Sequence, residues 1–361
     1  MGEDALLRHD VPLAPFTTIG LGGPARLFAQ CATVKEIKEA LAYASRGGIP
    51  VQVFAGGSNI LFADEGFDGL VINVALRGVK ARRKRDGVLV SAAAGELWDL
   101  FVARATESGW GGIECLSGIP GSIGATPVQN VGAYGQEVQE TVVAVRALDR
   151  QTLAEVDFTP EECRFAYRQS RFKTEDAGRY IITGVQFRLR PDAPADIRYG
   201  ELKTAVDVSV DLASLQPGAE TLEAVRSVVI ALRRKKSMVL DPADENSRSV
   251  GSFFVNPVVP ESTFRQIEER WLGAGGTSPV PHFRADGGVK VPAGWLVENA
   301  GFRRGLRRGG AGISDNHALA LVNCGGTMRE LITLAQEIQE SVAAKFGVRL
   351  EREPVIVPFK P

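Results

Sequence analysis

Histidine is almost missing from this chain: His9, His282 and His317 are its only 3 among 361 residues. A His-rich metal site is therefore nearly excluded, and a Ser-His-Asp mechanism would rest on one of three candidates. Cysteine is equally sparse. Cys31, Cys115, Cys163 and Cys324 stand far apart, with neither a CxxC pair nor metal-ligand spacing, so they read as reduced thiols of a cytoplasmic protein. Charge of one sign is also lacking: 42 Lys and Arg face 43 Asp and Glu, a net charge of −1, which gives no global field for nucleic acid or a membrane surface. No apolar run approaches the roughly 18 residues of a membrane span, and the start, MGEDALLRHDVPLAPF, has no basic segment followed by an apolar stretch. GxxxxGK[ST] and GxSxG are absent, which argues against a phosphate-loop NTPase and a nucleophile elbow. The expectation is a soluble cytoplasmic protein with no metal, nucleic-acid or membrane partner.

Glycine, by contrast, is abundant at 40 residues. The length predicts two or three domains with a sizeable core. Thr33 to Gly48 begins with a Thr33/Glu36 capping box, places Ile37, Ala40, Leu41 and Ala44 on one face and stops at Gly47-Gly48, which predicts a helix. Strands are expected at Val51 to Ala55, Leu70 to Val74 and Val88 to Ala94, then a helix from Glu96 to Ser108 with Leu97, Leu100, Phe101 and Ala105 inward. Further strands are read at 142–148, 154–158 and 180–189, with a boundary near Pro191 to Pro194. A helix over 220–236 buries Leu222, Val225, Val229 and Leu232, and the polar connector DPADENSR at 241–248 opens a last domain. Its helices are 262–271 and 327–346, the latter with a Thr327/Glu330 capping box.

Two glycine-rich segments carry the chemistry. AGGSNILF at 55–62 follows a strand, and IPGSIGATPVQNVGAYG at 119–135 forms a loop too long to be idle in a compact domain. Such loops let backbone N–H groups approach a pyrophosphate, and their Ser, Thr, Asn and Gln side chains add uncharged hydrogen-bonding groups. GLGGPA at 20–25 fits a dinucleotide pattern only formally, because it follows PFTTI rather than a buried strand and opens no helix. Arg168 sits among aromatics in FAYRQSRF, where an arginine is paired to a carboxylate or awaits one. Basic runs at 82–85, 233–236 and 303–308 read as solvated faces, any of which a nucleotide diphosphate or NADPH 2′-phosphate could use.

Read together, FTTIGLGGPA, AGGSNILF, IPGSIGATPVQNVGAYG, FAYRQSRFK, GSFFVNP, AGWLVENAG, HALALVN and LEREP occur in an order that resembles the UDP-N-acetylenolpyruvoylglucosamine reductase family over nearly the whole chain. The resemblance implies an α+β fold: a two-lobed FAD-binding domain of the vanillyl-alcohol-oxidase type plus a third α/β substrate domain. It divides the chain into lobe 1 at 1–75, lobe 2 at 76–236 with 349–361 returning to the active site, and a substrate-binding domain at 237–348. It implies an FAD-dependent oxidoreductase of peptidoglycan precursor synthesis, a UDP-N-acetylmuramate dehydrogenase. NADPH would reduce non-covalently held FAD, and reduced flavin would pass hydride to C3 of UDP-N-acetylglucosamine enolpyruvate.

By motif, Arg168 and Glu353 would meet the substrate carboxylate, and Ser252 would give the proton to C2. Glu353 facing a carboxylate requires that it be protonated or share a proton, which burial favours. The cofactor residues implied are Gly56, Gly57, Ser58, Asn59 and Ile60, then Ile119, Pro120, Gly121, Ser122, Gly124, Ala125, Gln129, Asn130, Gly132, Ala133 and Tyr134, with Tyr167 near the flavin. Tyr199 matches the diphosphate-covering tyrosine of the first subclass, Lys236 the diphosphate lysine with Lys235 as competitor, and Asn256 a substrate asparagine. The sequence departs from the family at Arg352 and Pro354 and in a lengthened segment between Arg168 and Ser252. A monomer is expected. An oxidase of the same fold and a non-catalytic nucleotide-sugar binder are the competing readings.

Overall fold

The computed structural model describes residues 6–360, so the first residues of the N-terminal segment lie outside the described residues. Among them eight α-helices follow in order: α1 Val34–Arg46, α2 Trp98–Glu107, α3 Pro160–Cys163, α4 Gly200–Ser209, α5 Ala219–Lys235, α6 Glu261–Gly273, α7 Ala293–Asn299 and α8 Met328–Phe346. Both expected capping boxes form, at Thr33/Glu36 and Thr327/Glu330. Each satisfies two otherwise unpaired N–H groups and fixes where its helix begins. Burial of Ile37, Ala40, Leu41 and Ala44 lays α1 on the first sheet, each large side chain contributing about 1.5–3 kcal/mol. The expected face of α2 needs correction. Leu97 and Leu100 are 44% and 65% exposed, while Trp98, Phe101, Val102 and Ala105 point inward. The Trp98 indole N–H donates to the Leu116 carbonyl at 3.0 Å and locks that rotation. Helix α4, directly after Tyr199, was not expected from the sequence.

Among the described residues the three largest sheets organise these helices, beside a three-stranded sheet of Val258–Val259, Gly288–Lys290 and Phe283–Ala285 and two two-stranded pairings. The first has the order Arg8–Pro12, Pro24–Cys31, Phe67–Val74, Val51–Phe54, with the last three strands parallel. GLGGPA thus leads into a strand and not out of one, as its poor dinucleotide context predicts. The second sheet is antiparallel, Glu155–Phe158, Val142–Asp149, Tyr180–Pro191, Gly87–Ala93, Val79–Lys84. The third runs Ser249–Ser252, Ala320–Asn323, Ala311–Ile313, Arg307–Arg308, also antiparallel. The chain end then returns: Val355–Val357 pairs in parallel with Ile60–Phe62 beside the first sheet. The returning tail, grouped by the sequence with the second lobe, therefore joins the first.

The apolar cores follow the same plan. One links the first two sheets through Leu27, Leu70 and Ile72 against Val88, Val90 and Trp98. Another links the first region to the third sheet through Ile19, Leu21 and Leu61 against Phe253, Phe254 and Leu321. Asp64 reinforces this contact: its carboxylate accepts from the Met328 and Arg329 N–H groups at 2.7 and 3.0 Å, capping α8 from across the boundary. Among the described residues no core cluster joins the second sheet directly to the third.

Candidate active site

The strand Val51–Phe54 ends in Gly56-Gly57, and here glycine is compulsory. Gly57 has φ +64°, and a Cβ on it would lie 1.9 Å from the Phe16 carbonyl oxygen. A Cβ on Gly56 would lie 2.5 Å from Cα of Gly121, so the two glycine-rich loops touch backbone to backbone. Asn59 ties them: its amide donates to Gln129 at 2.8 Å and to the Glu353 carbonyl at 3.4 Å, while its own carbonyl accepts from Val355 at 3.0 Å.

Between the loops and the second sheet lies a cleft of about 440 Å³, lined by Gly56, Gly57, Ser58, Asn59, Ile60, Ile119, Pro120, Ser122, Gly124, Ala125 and Gln129 together with Phe172, Lys173, Tyr180 and Arg150. Its size and its small, largely apolar lining suit a cofactor. Among the described residues only two buried side-chain polar atoms have no hydrogen-bond partner, Ser122 Oγ and Arg233 Nε. Native structures rarely leave such atoms unpaired. Ser122 lines this cleft, so the residues present fit a polar dinucleotide with a flat ring system: two loops packed backbone to backbone through glycine, small walls and, in the wall itself, a buried hydroxyl with no partner.

A smaller cavity of about 190 Å³ adjoins the cleft through Ser58, Asn59, Ile119, Pro120, Gln129 and Val131, and it brings together Arg168, Ser252, Glu353, Tyr167, Gly132 and Asn256. Arg168 is held in a left-handed conformation, φ +55°, at a tight turn closed by two 3.1 Å bonds between Ala166 and Gln169. A non-glycine residue in that region is strained and persists because its surroundings dictate it. Its guanidinium donates to the Gly132 carbonyl at 2.6 Å and lies 3.8 Å from Glu353 Oε1, with both side chains mostly buried at 23% and 14% exposed.

Glu353 is delivered by the returning tail, whose N–H at 353 donates to the Phe253 carbonyl. Burial raises the Glu353 carboxyl above its usual range, partly opposed by Arg168 and Lys173. Ser252 follows Gly251, φ +76°, and no hydrogen bond from its hydroxyl exists among the described residues.

The remaining candidates divide. Asn256 accepts from Ala293 N at 2.8 Å and donates to the Tyr167 hydroxyl at 3.3 Å, spanning from the third sheet to the second lobe. Tyr134 and Gly135, both with positive φ, form the hairpin turn between Gly132–Ala133 and Gln136–Glu137. Ala133 and Tyr134 do not line the cofactor cleft; the Tyr134 ring instead packs edge-on against Tyr199 at 5.8 Å, with Lys236 Nζ over it at 5.9 Å. Gly121 stands behind Ser58 in the loop contact. Asn130 is fully buried, and its amide binds Glu137 and the Ala166 carbonyl, so its side chain is structural. Lys236 reaches Glu201 at 2.7 Å, whereas Lys235 is exposed.

Sequence reasoning named Arg233 only as part of the basic run at 233–236 and did not single it out, although it lines the smaller cavity and its Nε is buried and unpaired. That reasoning missed Lys173 and Arg150 in the cleft. The signal for Arg233 was available: it stands seven residues after Arg226 on α5, two turns on, along the packed side of the helix.

This arrangement has close relatives. Residues 241–357 match the UDP-N-acetylenolpyruvoylglucosamine reductase C-terminal domain, and 25–152 match an FAD binding domain. A UDP-N-acetylenolpyruvoylglucosamine reductase of Thermobifida fusca is 44% identical over 354 residues, covering 97% of each chain. One from Mycobacterium tuberculosis is 45% identical over 368 residues, covering 98% of this chain and 96% of that protein. The chain belongs to the UDP-N-acetylenolpyruvoylglucosamine reductase family. The crystal structure of the Thermus caldophilus UDP-N-acetylenolpyruvylglucosamine reductase aligns with 98% of this family member and 100% of its own chain, at a TM-score of 0.64 and 25% identity. As a reductase of this family the protein is an FAD-dependent oxidoreductase with the expected α+β, two-lobed flavin-binding fold.

Proposed function

We propose that this reductase converts UDP-N-acetylglucosamine enolpyruvate to UDP-N-acetylmuramate with NADPH, in peptidoglycan precursor synthesis, by using Arg168, Glu353 and Ser252 at one reacting centre. The observation that carries this reading is the small cavity in which these three residues, from three distant parts of the chain, adjoin the flavin cleft. When bound, FAD supplies a route for hydride from NADPH to C3 of the enol ether. The protein supplies the rest. Adding hydride at C3 builds negative charge that spreads from C2 into the substrate carboxylate, and preorganised donors must meet it. The Arg168 guanidinium, fixed by the Gly132 carbonyl, is such a donor. Glu353, its carboxyl raised by burial, can present a proton to the same group where an ionised carboxylate would repel it. The Ser252 hydroxyl, without a hydrogen-bond partner among the described residues, can give a proton to C2.

The diphosphate falls to the group around Tyr134, Tyr199, Lys236 and Arg233. Tyr199, followed by the unforeseen α4, supports assignment to the subclass with a covering tyrosine. The three histidines do not line the cleft, which supports non-covalent FAD. No helix among the described residues is long and apolar enough to cross a membrane, which supports a cytoplasmic site of action. The domain limits at 75, 236 and 348 are supported by large sheets that share no strands. The test is anaerobic: NADPH bleaches the yellow holoenzyme and the enolpyruvyl nucleotide restores the colour. Bleaching without restoration by that nucleotide, or Ser252→Ala forming product at the wild-type rate, would overturn the reading.

A further inference from the structure

Asp99 lies outside both cavities, yet it joins two of the parts that form them. Its Oδ1 accepts from the Gly118 N–H at 2.5 Å and from Arg226 Nη1 at 2.6 Å, and its Oδ2 accepts from Arg226 Nη2 at 2.9 Å. This is a bidentate carboxylate–guanidinium fork with a third, backbone donor. Gly118, φ +71°, is the residue immediately before Ile119 and Pro120, which line both cavities. Arg226 is on α5, and Arg233 follows it two turns later on the same face. The parts also touch: a Cβ on Gly118 would lie 2.7 Å from Ile230 Cδ1 and 3.4 Å from Arg233 Nε.

Arg233 needs outside help to hold its place. Among the described residues its side chain makes one hydrogen bond, Nη2 to the Met238 carbonyl at 2.8 Å, and no ion pair, while Nε stays buried and unpaired. Its aim into the small cavity is therefore set by the rotation and height of α5, which the fork fixes against α2.

We propose that Asp99 is a positioning residue of this reductase: by clasping Gly118 and Arg226 it sets the flavin-side loop and helix α5 in one register, so that Arg233 faces the bound anionic substrate. The proposal rests on the reading of the smaller cavity as the substrate site.

The test compares Asp99→Ala and Asp99→Asn with the wild-type holoenzyme in both half-reactions and by amide hydrogen exchange. In Asp99→Ala, KM for the enolpyruvyl nucleotide rises by about tenfold, flavin reduction by NADPH stays within about twofold, and exchange quickens at both 118–122 and 230–236. Asp99→Asn keeps an oxygen for Gly118 and loses the charge facing Arg226, so its exchange quickens at 230–236 alone. If Asp99→Ala yields no soluble holoenzyme, Asp99→Asn and Arg226→Lys carry the comparison. Unchanged exchange at both segments, or equal slowing of both half-reactions, overturns the proposal. A wild-type enzyme that is not reoxidised by the nucleotide counts against the proposed substrate instead, and exchange then decides the role of Asp99.

Discussion

Ser122 shows what one atom can reveal. Its hydroxyl is buried without a partner at the wall of the cleft, a cost of about 1–3 kcal/mol while unmet. Ser122→Ala removes that cost from the free protein and a hydrogen bond from the flavin complex. Apoprotein stability should hold or rise slightly, while FAD affinity falls by roughly fivefold, about 1 kcal/mol, as checked by thermal melts and flavin titration. Side-chain chemistry of this kind is legible in sequence when the motif is dense. Arg168 was readable as an arginine awaiting a carboxylate, and its partner Glu353, 185 positions later, came only from the ordered family motifs. The orientation of Asn130 and Tyr134 was not readable, because it depends on positive-φ turns that send one amide inward and one ring away from the cleft.

Helices with unambiguous punctuation were correctly foreseen. Capping boxes and a single apolar stripe gave α1 and α8 nearly to the residue. Helix α2 was harder, because LWDLFVARATE offers two overlapping apolar stripes and only tertiary bonds choose between them. The Trp98 indole bond and the Asp99 clasp make that choice. Leu100→Gln should therefore change stability by less than about 0.5 kcal/mol, whereas Trp98→Ala should cost about 3–5 kcal/mol, measured by denaturant unfolding. In the loop before Ala320–Asn323, burial and the nearby Lys236, Arg233 and Arg304 push His317 down to about 4. Its Nδ1 accepts from the Leu319 N–H, which requires the neutral ring.

A folded-state value below the ordinary one means the unfolded chain binds this proton first. Stability contributed by His317 is thus intact above about pH 6.5 and is lost as pH falls toward 4. At pH 5 the loss is about 2 kcal/mol, and His317→Gln should abolish that part of the acid sensitivity in melts between pH 7 and 5.

For the molecule as a whole, the returning tail is a tie as well as the carrier of Glu353. Val355–Val357 pairs with Ile60–Phe62, and its first N–H holds Asn59. Deleting 355–361 removes none of the three residues proposed to react, yet flavin retention and turnover should both fall, measured as flavin per polypeptide and as NADPH oxidation. Full flavin occupancy in the shortened enzyme would show that the tail is dispensable to the cradle. This tie was invisible in local patterns, since a three-residue parallel pairing between positions 60 and 355 leaves no periodicity in either segment.

The distribution of apolar cores has one more effect. The first lobe is joined by buried hydrophobic surface to each of its neighbours, but between residues 76–236 and 237–348 Tyr167 makes polar contacts, its hydroxyl accepting from Asn256 at 3.3 Å and its ring lying 4.8 Å from Lys290 Nζ. Among the described residues no apolar core cluster joins the second sheet to the third across that seam. On the proposed reading the substrate's anions meet Arg168, Arg233 and Lys236 at this seam, so the enzyme's grip on its nucleotide should weaken with ionic strength while its apolar cores, and with them its fold, should not.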